Sequence, residues 1–139
     1  MIYGIDQFSY KDVLEICKDT AKAKLNKTAK DQILKSQKNV AKIVASDDTV
    51  YGINTGFGPL CDVKISEEET AQLQHNLIIS HAVGVGKPID KELSKIMIIS
   101  KVHALSKGFS GVSLEVIERM ILMLEKDIIP VVPEQGSVG

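Results

Sequence analysis

Apolar residues recur at helical spacing over most of the chain, and the interruptions carry glycine, asparagine or proline. Leu114, Ile117, Ile121, Leu124 and Ile128 follow alternating steps of three and four, so a helix over 113–127 aligns them as one stripe. The stretch before it places Leu93, Ile96, Met97, Ile98, Ile99, Val102, Ala104 and Leu105 around nearly the whole circumference of a helix. That is the pattern of a helix buried in a larger bundle. Ser9 with Asp12, Thr28 with Asp31 and Ser66 with Glu69 match the S/T-x-x-D/E signature that satisfies orphan amides at a helix start. They predict helices over 9–23, 28–46 and 66–82. Asp90 is the expected cap of a helix that reaches Lys107 and stops at Gly108, and Ser113 opens the last, which ends before Pro130. Between 47 and 65 the period fails, which predicts a glycine-rich loop with a short strand at Thr49–Tyr51. No segment repeats another, and the fold class expected is all-α, with 1–139 as one incomplete unit. The apolar surface of helices 90–107 and 113–127 exceeds what roughly a hundred other residues would cover, which implies further chain or partner subunits. The closing Gln135-Gly-Ser-Val-Gly139 has neither cap nor helix stop and reads as an interruption.

Composition narrows the function classes. The 139 residues are 44% hydrophobic and 25% charged, an ordinary soluble balance. Seventeen basic and eighteen acidic side chains leave a formal charge of −1 with no basic stripe, so neither nucleic acid nor an anionic membrane surface is an expected partner. No segment reaches the roughly 18 apolar residues of a membrane span, and the opening MIYGIDQFSYKD lacks the basic and apolar regions of a leader. A cytoplasmic address and a small-molecule ligand are expected. Cys17 and Cys61 are too few for a disulfide framework and read as free thiols. His75, His81 and His103 have no ligand spacing, so no metal is expected. Gly84-Val-Gly-Lys-Pro88 would need glycine where His81 stands and Ser or Thr where Pro88 stands to form a phosphate loop. Gly52, Gly56 and Gly58 do not give the dinucleotide spacing, so no nucleotide is expected. Gly108-Phe-Ser-Gly-Val112 fails as a nucleophile elbow at Val112 and reads as a helix-to-helix turn.

Three blocks remain: Tyr51-Gly-Ile-Asn-Thr-Gly-Phe-Gly58, Asn76-Leu-Ile-Ile-Ser-His-Ala-Val-Gly-Val-Gly86 and Val132-Pro-Glu-Gln-Gly-Ser-Val-Gly139. In content, order and separation they resemble the aromatic amino-acid ammonia-lyases, and the Ser80-His81 pair resembles the branch acting on histidine. The resemblance implies the N-terminal helical part of a fumarase/aspartase-like long-helix bundle, with 90–139 leading into the central helices. It implies a homotetramer that eliminates ammonia from L-histidine to give urocanate. It also implies that Ala-Ser-Gly follows Gly139 and cyclises to a methylidene-imidazolone, so that the chain alone is inactive. An amino group leaves poorly and a β-proton is weakly acidic, which is why such chemistry needs a fixed electrophile. Tyrosine or phenylalanine ammonia-lyase or aminomutase activity, and a non-catalytic helical scaffold, are the alternatives.

Residue by residue, the resemblance makes Tyr51 the base that removes the β-proton. A phenol titrates near ~10, so this role requires surroundings that favour its anion. Read without the resemblance, Tyr51 is a loop-anchoring tyrosine and His81 a buried histidine satisfied by a backbone carbonyl. The resemblance puts His81 in the pocket for the substrate side chain and Gly58 where bare backbone lines the substrate. Asn54, also assigned to the substrate region, is suited to hold the loop by an Asx-type hydrogen bond. Gly136, Ser137, Val138 and Gly139 adjoin the cofactor; on their own, two glycines there would mean only a turn. Two positions depart from the pattern, which has asparagine where His103 stands and arginine where Ser113 stands.

Overall fold

The computed structural model describes residues 1–46, 48–55, 65 and 67–136, without the side chains of residues 67, 68, 70 and 71. It contains helices α1 (Tyr10–Lys18), α2 (Lys27–Val44), α3 (Glu67–His81), α4 (Lys91–Leu105) and α5 (Leu114–Glu125) and short strands β1 (Val85–Pro88) and β2 (Pro133–Gln135). Two compact units form: residues 1–38 with 88–132, and residues 39–87 with 133–139.

The first unit holds the apolar core. Ile16 and Cys17 of α1, Ile33 of α2, Ile99 and Val102 of α4, and Ile117 and Leu124 of α5 are buried together with Tyr3 and Ala23. Helix α4 packs on both α1 and α5. Its partners cover Ile99 and Val102, but Leu93 and Met97 remain about half exposed, so its apolar circumference is only partly satisfied here. Burial, with Glu125 adding to it, pushes the Tyr3 phenol up to about 12 and keeps it neutral.

Caps explain where the helices begin and where expectation and structure part. Ser9 forms the full capping box: its hydroxyl accepts the Asp12 N–H at 3.3 Å while the Asp12 carboxylate accepts the Ser9 N–H at 2.8 Å. The expected helix 9–23 nonetheless ends at Lys18. Asp19 turns extended and its carboxylate accepts the Ala21 N–H, starting a separate 3-10 turn, Thr20–Lys22. Helix α2 starts one residue before Thr28, because Asn26 Oδ1 accepts the Ala29 N–H at 2.9 Å and does the capping instead. Asp90 precedes α4 as expected but makes no side-chain cap hydrogen bond. Ser113 does cap α5, accepting the Val116 N–H. That helix stops at Glu125, before the expected 127. Asp127 takes a positive φ of 53°, and Ile128 lies beyond the helix, 61% exposed. Asp127 receives Lys91 Nζ at 2.5 Å and Lys95 Nζ at 3.5 Å, tying the start of α4 to the end of α5. The Ser66 cap lies outside the described residues.

Candidate active site

The second unit carries the candidate residues. Its first part is the loop after α2, where the expected strand at Thr49–Tyr51 does not form. A tight turn takes its place: the Ile53 N–H donates to the Val50 carbonyl at 3.1 Å, with Gly52 third in the turn at φ +76°. A positive φ at that position is the requirement of a type II turn, and glycine meets it without strain. A Cβ on Gly52 would meet nothing within 4 Å, so the dihedral and not crowding calls for glycine. Tyr51 stands at the turn's corner, 63% exposed.

Asn54 holds this corner in place. Its Oδ1 accepts the Val50 N–H at 2.8 Å, its Nδ2 donates to the Asp48 carbonyl at 2.8 Å, and the side chain is 2% exposed. The donor and the acceptor of one amide therefore close the loop from both sides, the Asx-type role expected of it. Thr55, which no motif argument singled out, is buried beside it and accepts the Gly52 N–H at 3.3 Å. Its signal in the sequence was a hydroxyl three residues after the turn glycine, in reach of a free amide. Gly58 lies outside the described residues.

Helix α3 ends on His81. The ring Nδ1 lies 2.9 Å from the Leu77 carbonyl and 3.1 Å from Ser80 Oγ, while the Ser80 hydroxyl donates to the same carbonyl at 3.0 Å. A backbone carbonyl thus satisfies one ring nitrogen, although the residue is exposed and not buried.

Beyond α3 the second motif block meets the third. β1 and β2 pair in a two-stranded sheet, which periodicity did not reveal because the strands have only four and three residues. The approach is close: a Cβ on Gly84 would come 2.5 Å from Pro133 Cγ, and one on Gly86 2.7 Å from Glu134 Cγ. Glycines that looked like a failed phosphate loop therefore admit the strand that runs into Gly136. Ser137, Val138 and Gly139 lie outside the described residues. Tyr51, Asn54, His81 and Gly136 thus belong to one compact unit.

Both departures from the motif pattern make contacts within the first unit. His103 Nδ1 accepts the Gly4 N–H, and Ser113 caps α5. Cys17 is buried and free, and Cys61 lies outside the described residues. Among the described residues no three His, Cys, Asp or Glu side chains are grouped to hold a metal ion, and no helix is long and apolar enough to cross a membrane.

Known proteins match this arrangement. The chain is 42% identical over 134 residues to a histidine ammonia-lyase of Caldanaerobacter subterraneus subsp. tengcongensis, covering 96% of this chain and 26% of that protein. It is 48% identical over 118 residues to a histidine ammonia-lyase of Shouchella clausii, covering 85% and 24%. The fold superposes on the crystal structure of histidine ammonia-lyase from Trypanosoma cruzi with a TM-score of 0.83 at 31% identity, covering 99% of this chain and 26% of that one. The chain thus spans about a quarter of the length of the curated relatives it matches. With the aromatic amino acid lyase profile matching residues 8–139, the chain belongs to the aromatic amino acid lyase family.

Proposed function

We propose that this chain, within a protein of its relatives' full length, serves a histidine ammonia-lyase that eliminates ammonia from L-histidine to give urocanate. The observation that carries this reading is the 42% identity to a named histidine ammonia-lyase across nearly the whole chain. The geometry of the Tyr51 turn supports it. A general base must present its oxygen to the substrate in one orientation, and a corner held by Asn54 and Thr55 supplies that preorganisation. In this reading Tyr51 removes the β-proton, His81 meets the imidazole of the substrate, Gly58 lines the substrate with bare backbone and Asn54 keeps the loop in shape.

The methylidene-imidazolone implied by the family would be adjoined by Gly136, Ser137, Val138 and Gly139. The glycine-lined approach of β1 to β2 fits such a segment, because it fixes the strand leading to Gly136 against a close backbone neighbour. The group supplies an electrophile that polarises the substrate for loss of ammonia. This chain's own residues bind and orient the amino acid and hold the proton taken from its β-carbon. A homotetramer in the cytoplasm completes the reading.

Full-length protein supplied with L-histidine is expected to generate the urocanate absorbance, and not cinnamate or coumarate from phenylalanine or tyrosine. Tyr51→Phe, which changes little volume, is expected to lower turnover by on the order of 10²–10⁴ with melting temperature and imidazolone absorbance unchanged. Undiminished turnover in that variant would assign proton abstraction to another residue. An inactive parent protein would favour a scaffold.

A further inference from the structure

We infer that Thr55 is a positioning residue that sets the peptide plane next to Tyr51, an inference that rests on the reading of Tyr51 as the base. Asn54 and Thr55 hold the corner differently. The Asn54 amide reaches the ends of the loop, accepting the Val50 N–H at 2.8 Å and donating to the Asp48 carbonyl at 2.8 Å. Neither bond touches the peptide between Tyr51 and Gly52. Thr55 does: an N–H can only donate, so Thr55 Oγ1 accepts the Gly52 N–H at 3.3 Å, from a residue that is 1% exposed.

That peptide is the one that separates a type II turn from a type I turn. The two share their end residues and differ by a flip of the central plane, which swings ψ of the second residue and φ of the third together. The Gly52 φ of +76° is the type II state. In the flipped state the Gly52 N–H points away from Thr55 Oγ1, so the bond exists in one state and favours it over the other. The consequence for the base follows from its own ψ. Rotamers open to a side chain depend on the backbone dihedrals of its residue, so the plane decides where the Tyr51 oxygen stands. A misplaced reacting group costs rate in the chemical step and leaves ground-state binding largely alone. Thr55 thus acts on the reaction through Tyr51.

The test uses the full-length enzyme and L-histidine, with kcat and KM measured beside melting temperature and imidazolone absorbance. Thr55→Val keeps the side-chain shape and removes the acceptor; it is expected to lower kcat about tenfold, the size of one neutral hydrogen bond, with KM within about twofold of the parent. Thr55→Ser keeps the oxygen and is expected to hold kcat to within about threefold. Gly52→Ala reaches the same plane by another route, because a Cβ there meets nothing within 4 Å and only the positive φ resists it. If both substitutions act on one plane, the double variant loses little more than the worse single one, whereas independent effects multiply to about a hundredfold. A multiplied loss, an unchanged kcat in Thr55→Val, or equal losses in Thr55→Val and Thr55→Ser overturns the inference. Hydrogen exchange of the Gly52 amide reads the turn independently of activity and is expected to quicken in Thr55→Val but not in Thr55→Ser; an unchanged rate in Thr55→Val overturns the inference as well. Quickened exchange there alongside undiminished turnover in Tyr51→Phe overturns only the reading of Tyr51 as the base.

Discussion

The Nδ1 of His103 accepts the Gly4 N–H at 3.3 Å, and the ring stacks on Phe8 with centroids 4.0 Å apart, so one side chain clasps the first residues to α4. An acceptor role requires Nδ1 to be unprotonated. Burial holds the group below its ordinary value of 6.5, Lys107 lowers it further and Asp6 opposes them. Because the folded-state value is depressed, the unfolded chain binds the proton more readily. The stability of the clasp is therefore fully present above about 6.5 and is lost as pH falls through the lower folded value. Amide exchange of residues 1–8, expressed as protection relative to the free peptide, is expected to fall between neutral pH and pH ~5. His103→Asn keeps an acceptor without a titrating proton and is expected to remove that dependence; equal protection at both pH values in the parent would dismiss the clasp. The Asn54 loop was readable in the sequence because its partners lie four and six residues away. The His103 contact was not, because its partner lies 99 residues away.

Elements were legible where the signal was local and failed where side chains competed. The caps at Ser9 and Ser113 follow from sequence alone, whereas Asn26 displaced Thr28 and Asp19 broke α1 through hydrogen bonds equally available to any short polar residue. Strands of four and three residues have no period to detect, and only their pairing shows why glycines stand at 84 and 86. Both glycines admit the close strand, and Gly86 adds a positive φ that substitution can separate from the steric part. Gly84→Ala meets the Pro133 ring at 2.5 Å, a steric conflict expected to cost about 1–3 kcal/mol, part of which Pro133→Ala relieves. Gly86 sits at φ +92° and a Cβ there would come 2.7 Å from Glu134 Cγ, so Gly86→Ala carries a steric part that truncating Glu134 relieves and a backbone penalty that it leaves in place. Denaturant midpoints of the two double-mutant cycles in the full-length protein check this. Coupling is expected in both cycles, with a residual cost left at Gly86→Ala after Glu134 is truncated that exceeds the one left at Gly84→Ala, and the reverse pattern would show that the sheet contacts have been misjudged.

At the scale of the whole molecule, the apolar core and the candidate site occupy different units. Every buried hydrophobic residue among those described, from Tyr3 to Leu124, lies in residues 1–38 or 88–132. In the other unit the buried described residues are Asn54 and Thr55, both polar, while Ile78, Ile79, Val83 and Val85 are each more than half exposed. Burial of apolar surface is the dominant favourable term in folding, so these described residues leave apolar surface still to be covered. Relatives that carry this region are about four times as long. The sequence announced the surplus apolar surface in 90–107 and 113–127, but the structure puts a share of it on α3 and β1, where mixed polarity had hidden it. Site and scaffold therefore differ in what they need. In the isolated 139-residue chain, amides of residues 67–87 are expected to exchange near the rate of an unfolded peptide while those of α4 and α5 stay protected, and light scattering is expected to show self-association. In the full-length protein both sets should be protected. Equal protection of the two units in the isolated, monomeric chain would mean that the site-bearing unit has a core of its own.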